Sequence, residues 1–386
     1  MKRAATLAFL ALVLATAGAA IFLSQAPDNT PQAVASPIDE AERARAIQAL
    51  RPKSAARPVI AILAQNAGTE IADLLNPYGV LRQADVADVV VVAEHKAPLR
   101  LYPGDLRAMP DASFDEFAHR YPRGADIVVV PAMDPYDDHA AIDWLLAQRQ
   151  SGARIVSVCN GSLTLGAAGL LDGRSATSHW STVGELESRH PSMRRVQNRR
   201  YVTDGDITTA TGITASLPLM LALVEAIGGQ DAAAKTAAEL GIDHWDARHV
   251  SNAFTLNNAH RWTFLRNKLQ FWAQQEREVA VQGADEIALG IAVDAYSRTE
   301  RVSVVSVADA PEVRSKRGLL LLPGRVGDVS ALPHPVALPM ERPGGTPQQV
   351  LARIESEFDP RTARYVALTL EYPWSRSPGK RSATGN

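Results

Sequence analysis

Short apolar runs recur along the first two-thirds of the chain, and helical spacing fills the stretches between them. The runs are Val59-Ile60-Ala61-Ile62-Leu63-Ala64, Val86 to Ala93, Ile127 to Pro131, Ile155 to Val158 and Ile207 to Thr211. Continuous, β-branched runs of this length predict strands buried on both faces of a parallel sheet. Helical patterns cover Glu70 to Leu81, Ala140 to Gln150, Ser162 to Leu170 and Ala215 to Ile227. Strand and helix in alternation predict an α/β fold: a doubly wound, mostly parallel sheet with helices on both faces and a site at the carboxyl ends of the strands.

This body is expected over residues 58–254. Ahead of it, residues 27–57 read as a linker of Pro, Ala, Ser and Gln with a short charged helical piece, Glu40 to Leu50. Behind it, residues 255–282 read as a connecting helix. Trp245, Trp262 and Trp272 are expected to pack, and His244, His249 and His260, at spacings of five and eleven, suit one helical face poorly. The expectation is therefore structural histidines and no metal or cofactor. Residues 283–373 read as a truncated, degenerate α+β repeat of the first half. Val302-Ser303-Val304-Val305 and Ala310-Pro311 follow Val89-Val90-Val91-Val92 and Ala97-Pro98 at an offset of 213, and Glu286-Ile287-Ala288 follows Glu70-Ile71-Ala72 at 216. Leu289 stands where the first copy has Asp73, and the repeat holds no cysteine. Residues 374–386 are expected to be a disordered tail.

Composition narrows the setting. With 386 residues, 46% of them hydrophobic, the chain is long enough for a full core. Its 40 basic and 42 acidic side chains are mixed; the densest basic cluster, Arg194-Arg195 with Arg199-Arg200, reads as a solvated loop, so no nucleic-acid partner is expected. Met1-Lys2-Arg3 precedes an uncharged, mostly apolar stretch from Ala4 to Leu23, with small residues such as Ser24-Gln25-Ala26 after it. Residues 1–26 thus read as a cleaved signal peptide or an uncleaved membrane anchor; both place the body outside the cytoplasm, at the periplasmic face of the inner membrane or secreted.

Cys159, the single cysteine, sits where Arg154-Ile155-Val156-Ser157-Val158 breaks into Asn160-Gly161 and the next helix. A strand turning sharply into a helix exposes the turn residue above the sheet, near the helix's amide donors, where the dipole favours a thiolate. A buried structural cysteine is the alternative. Asp73, just after the first strand, belongs at the same sheet edge, and Glu70 lies one helical turn away; a carboxyl beside a thiolate is raised in pKa and can deliver a proton. His179 opens the segment after Gly173-Arg174 and reads as base, polar lining or a support for the fold.

These residues resemble the DJ-1/PfpI superfamily, of the class I glutamine-amidotransferase-like, flavodoxin-like fold, in its branch of isonitrile hydratases and AraC-type regulator sensor domains. The resemblance is carried by Gly68 to Pro77, Asp126-Ile127-Val128-Val129-Val130-Pro131, Ser157-Val158-Cys159-Asn160-Gly161, Ala168 to Trp180 and Thr211-Gly212-Ile213-Thr214-Ala215. It implies that Cys159 is the elbow nucleophile and Asp73 its acid, with Asn160, Gly161 and Ala132 on the oxyanion side and Glu70, Thr177 and Thr214 in the pocket. Three departures stand out. Pro131-Ala132-Met133 replaces the family's Pro-Gly-Gly, Asn160 follows the cysteine where protease-like members have histidine, and no helix-turn-helix pair is recognisable.

Two functions are expected of this pattern. One is a small-molecule hydratase or hydrolase using Cys159 and Asp73; the other is a non-catalytic ligand-binding or thiol redox-sensing module. The expected partners are a small-molecule ligand or substrate, the membrane if the first segment is uncleaved, and a second copy of the chain in a homodimer.

Overall fold

The computed structural model describes residues 35–53, 57–339 and 341–374. The expected leader over 1–26, most of the tail over 374–386 and part of the linker lie outside them.

The five predicted strands join two unpredicted edge strands, Tyr201–Asp204 and Ala112–Ser113, in one seven-stranded sheet in the order Tyr201–Asp204, Ile207–Ala210, Arg154–Ser157, Ile127–Val130, Val59–Leu63, Asp88–Ala93, Ala112–Ser113. All neighbours are parallel except the hairpin of the first two. Period-two alternation divides each strand between two cores. Ile60, Ile62, Val129 and Val156 face the helices Ile71–Ala84, Ser216–Leu240 and Glu286–Ser297, while Ala61, Leu63, Val128 and Ile155 face Phe114–Arg120, His139–Gln150 and Gly161–Ala167. From Val59–Leu63 the chain first winds to one side, through Asp88–Ala93, and then crosses to Ile127–Val130 on the other. That reversal opens a crevice at the carboxyl edge, where such sheets bind ligands.

The helix Glu40–Leu50 is docked. Ile47 and Leu50 are buried in the first core, and Arg43 Nη2 lies 2.5 Å from Glu225 Oε1 on the long helix Ser216–Leu240. The stretch expected as a connecting helix over 255–282 is in part a strand: the helix Asn258–Leu269 is followed by Gln275–Ala280. Its polar start, Gln275-Glu276-Arg277-Glu278, hides it, because this strand lies at a sheet edge with its first two residues exposed. Of the tryptophans, Trp262 and Trp272 are 48% and 73% exposed, so they do not pack inside the chain, whereas Trp245 packs against the core and bonds Glu225.

The C-terminal elements follow the order that the expected repeat requires in one respect. Gln275–Ala280, Val302–Ala308 and Arg325–Val326 pair in parallel in the order of Val59–Leu63, Asp88–Ala93 and Ala112–Ser113. Their helix, Glu286–Ser297, lies against Ile71–Ala84 so closely that a Cβ on Gly79 would come 2.7 Å from Ile287, and one on Gly290 3.1 Å from the Ala72 Cα. The two copies also share an antiparallel strand pair in which Ala108 faces Leu321, Arg107 faces Leu322 and the Met109 N–H bonds the Leu320 carbonyl. Ala108 and Leu321 stand 213 residues apart, the offset of the repeat itself, so equivalent residues meet at a local two-fold axis.

Candidate active site around Cys159

Cys159 turns the chain with a φ of 53° between the strand Arg154–Ser157 and the helix Gly161–Ala167. A left-handed φ strains a residue with a side chain, and here neighbouring groups hold it. The Cys159 carbonyl accepts Ser162 Oγ at 3.1 Å and Ser178 Oγ at 3.5 Å. Gly161 lets the helix start against the central strand, since a Cβ there would overlap the Val130 carbonyl oxygen.

The acids come from the helix that follows the first strand. Glu70 caps it, with Oε2 accepting the Asp73 N–H at 2.6 Å. Asp73 Oδ2 accepts the Ala132 N–H at 3.2 Å, and the Ala132 carbonyl accepts the Glu70 N–H at 2.9 Å. Glu70 Oε1 and Asp73 Oδ1 are buried without a hydrogen-bond partner. Burial pushes Asp73 up to about 8 and raises Glu70 well above its ordinary range, with Asp294 adding to both. Burial thus favours the protonated form of Asp73, whose side chain interacts with that of Cys159.

The thiol itself departs from expectation. Cys159 is 4% exposed; burial, with Asp73 and Glu70 beside it, holds its pKa well above the usual thiol value. The helix end does not make it a standing thiolate, because desolvation outweighs half a unit of dipole charge from a seven-residue helix.

The repeat supplies the opposing charge. Arg298, at the position equivalent to Arg82, draws down the pKa values of Cys159, Glu70 and Asp73, and its Nε donates to both Asp294 oxygens at 2.7 and 2.8 Å. In the repeat's own copy of the site, Glu286 instead accepts Ser315 Oγ and pairs with Arg317 at 2.6 Å. One copy keeps an acid pair free of such plugs; the other is closed by a salt bridge.

His179 is not placed as a base for the thiol. Its Nδ1 meets Ser181 Oγ at 2.6 Å, its Nε2 meets the Thr369 carbonyl at 3.0 Å, and burial lowers its pKa to about 3. It ties down the end of the helix Pro360–Thr369. The same seam includes Trp180, whose indole donates to the Leu368 carbonyl at 2.8 Å, and Glu371, whose carboxyl accepts the Trp180 and Gly212 N–H groups at 2.8 and 2.5 Å. Thr214 joins it, donating to the Glu371 carbonyl at 2.9 Å, while the Thr177 N–H donates to Thr209 Oγ1 at 2.9 Å and braces the sheet end.

The residues expected on the oxyanion side have their hydrogen-bonding groups engaged. The Ala132 N–H is committed to Asp73 and the Gly161 N–H to the Val158 carbonyl at 2.8 Å. The Asn160 side chain accepts Thr182 Oγ1 at 2.7 Å. Arg298, Asp294 and Glu371 carried no motif in the sequence.

Residues 59–226 match the model of the DJ-1/PfpI family. The isonitrile hydratase of Pseudomonas putida is 32% identical over 166 residues, 42% of this chain and 68% of that protein. The HTH-type transcriptional regulator CdhR of Pseudomonas aeruginosa is 29% identical over 247 residues, 62% of this chain and 71% of that protein. Among solved structures, a THiJ/PfpI family protein from Pseudomonas syringae is 27% identical, with a TM-score of 0.43 over 55% of this chain and 84% of that one. The chain belongs to the DJ-1/PfpI family.

Proposed function

We propose that Cys159 and Asp73 add water to a small neutral electrophile of the isonitrile or activated-carbonyl type. The observation that supports this most is a buried carboxyl, raised by desolvation so that its protonated form is favoured, interacting with a thiol at a left-handed elbow. For an isonitrile, sulfur attacks the terminal carbon while Asp73 gives its proton to that carbon and takes the thiol proton, leaving a thioimidate. Water then adds to the thioimidate carbon, the C–S bond breaks, the thiol regains its proton and an N-substituted formamide leaves. A neutral thiol suits this sequence, because the proton moves as the C–S bond forms. The likeness to the isonitrile hydratase of Pseudomonas putida supports the substrate class.

The test is turnover of cyclohexyl isonitrile to its formamide by the full chain. Cys159→Ser and Asp73→Asn are expected to lose at least about 100-fold. Absence of formamide with the unaltered chain would reject the reading.

The burial of Cys159, together with the likeness to the transcriptional regulator CdhR, supports a second reading, a ligand-responsive module without turnover. It predicts ligands that raise the melting temperature of the Cys159→Ser chain without being consumed. We further propose that the protein works outside the cytoplasm, on the strength of Met1-Lys2-Arg3 and the apolar stretch to Leu23. Fractionation of cells expressing the full chain, with and without residues 1–26, tests this; recovery of both forms from the cytosol would reject it.

A further inference from the structure

Glu371 borders a second space, a cavity of about 980 Å3 whose walls include neither Cys159 nor Asp73. It is large enough for a small molecule. Apolar wall comes from Leu217, Phe254 and Leu368, and His249 stacks on Phe254 with ring centroids 5.1 Å apart.

Charged side chains of both signs ring it. Arg200, Arg248, Arg361 and Arg364 line the cavity, against Asp243, Asp246 and Glu371. Asp246 is committed, since both its oxygens bond Arg248 at 2.8 and 2.6 Å. The Glu371 oxygens are held by the two backbone N–H groups described above, and burial raises its pKa to about 7, so it is ionised only in part at neutral pH. Arg200 is partly buried at the cavity wall; its Nε donates to the Arg248 carbonyl at 2.7 Å, and it forms no ion pair with a carboxylate among the described residues, though Asp246 and Glu371 act on it at longer range. A partly desolvated guanidinium with no direct carboxylate partner is open to an anion, and its planar fork suits a carboxylate.

We propose that this cavity is a second ligand site, for a small organic monoanion whose carboxylate meets Arg200 and whose apolar body lies along Phe254 and Leu368. The site is independent of the chemistry assigned to Cys159.

Calorimetric titration of the full chain with phenylacetate, and with phenylacetamide as its uncharged counterpart, tests the proposal. Saturable binding of the acid, at least about tenfold tighter than the amide, is expected. Arg200→Gln should remove that preference and leave amide binding unchanged, Arg200→Lys should keep part of it, and Cys159→Ser should bind as the unaltered chain does. The acid–amide comparison on the unaltered chain stands even if Arg200→Gln does not fold. Failure of phenylacetate and hexanoate to bind, equal affinity for acid and amide, or loss of binding in Cys159→Ser would overturn it.

Discussion

Replacing Asp73 with asparagine should stabilise the folded chain by an amount that grows with pH. The folded carboxyl titrates at about 8 against an ordinary 3.8, because burial penalises its charged form. The folded chain thus holds this proton more tightly than the unfolded chain, and stability falls as pH climbs between those two values. At about 1.4 kcal/mol per unit, the interval from the ordinary value to pH 7 costs roughly 4 kcal/mol. Glu70 is raised beside it, so the pair titrates together and the wild-type decline spreads over a wider range. Asparagine keeps an oxygen for the Ala132 N–H and has nothing to ionise. Urea unfolding from pH 4.5 to pH 8, followed by tryptophan fluorescence, should show the variant near wild type at the acid end and several kcal/mol more stable at the alkaline end, by the same linkage. A difference that does not change with pH would refute the reasoning.

Three further outcomes follow from the same geometry. Cys159 in the native chain should react with Ellman's reagent at pH 8 at least about tenfold slower than in urea, since burial and the neighbouring carboxyls suppress its thiolate; Asp73→Asn should speed the native reaction. Arg298→Met should cost about 3–5 kcal/mol in urea unfolding by stranding the buried Asp294 carboxylate, and the double replacement with Asp294→Leu should recover most of it. Gly161→Ala should lower the melting temperature by well over 5 °C, a loss of several kcal/mol, because its Cβ meets backbone that cannot move aside.

The strands around the site were legible because a sheet buried on both faces demands unbroken apolar runs, and Val59–Leu63 and Ile127–Val130 supply them. The elbow was legible for a different reason: a strand, a lone cysteine and a glycine at the helix start form a local device that distant parts of the chain do not alter. Residues acting across the fold were not. Arg298 reaches Cys159 only through the packing of Glu286–Ser297 on Ile71–Ala84, and Glu371 only because the last helix folds back over Gly212, where a Cβ would come 2.5 Å from it. The Gln275–Ala280 strand escaped because an edge strand keeps polar residues. The acid cluster's grip on the thiol proton was equally hidden, since a motif names the groups and leaves out the water they have lost.

The axis through Ala108 and Leu321 bears on how this protein can vary. In a pair of identical chains every substitution is made twice, so a change that improves one site is imposed on the other. Here the partner half is written separately in the same chain. Leu289 in place of an acid, and Arg317 locked to Glu286, are changes that a symmetric pair would have had to suffer at its working site as well. A single substitution in Glu286–Ser297 therefore alters the surroundings of one cysteine without altering the helix that carries its acid, and the two halves are free to diverge independently.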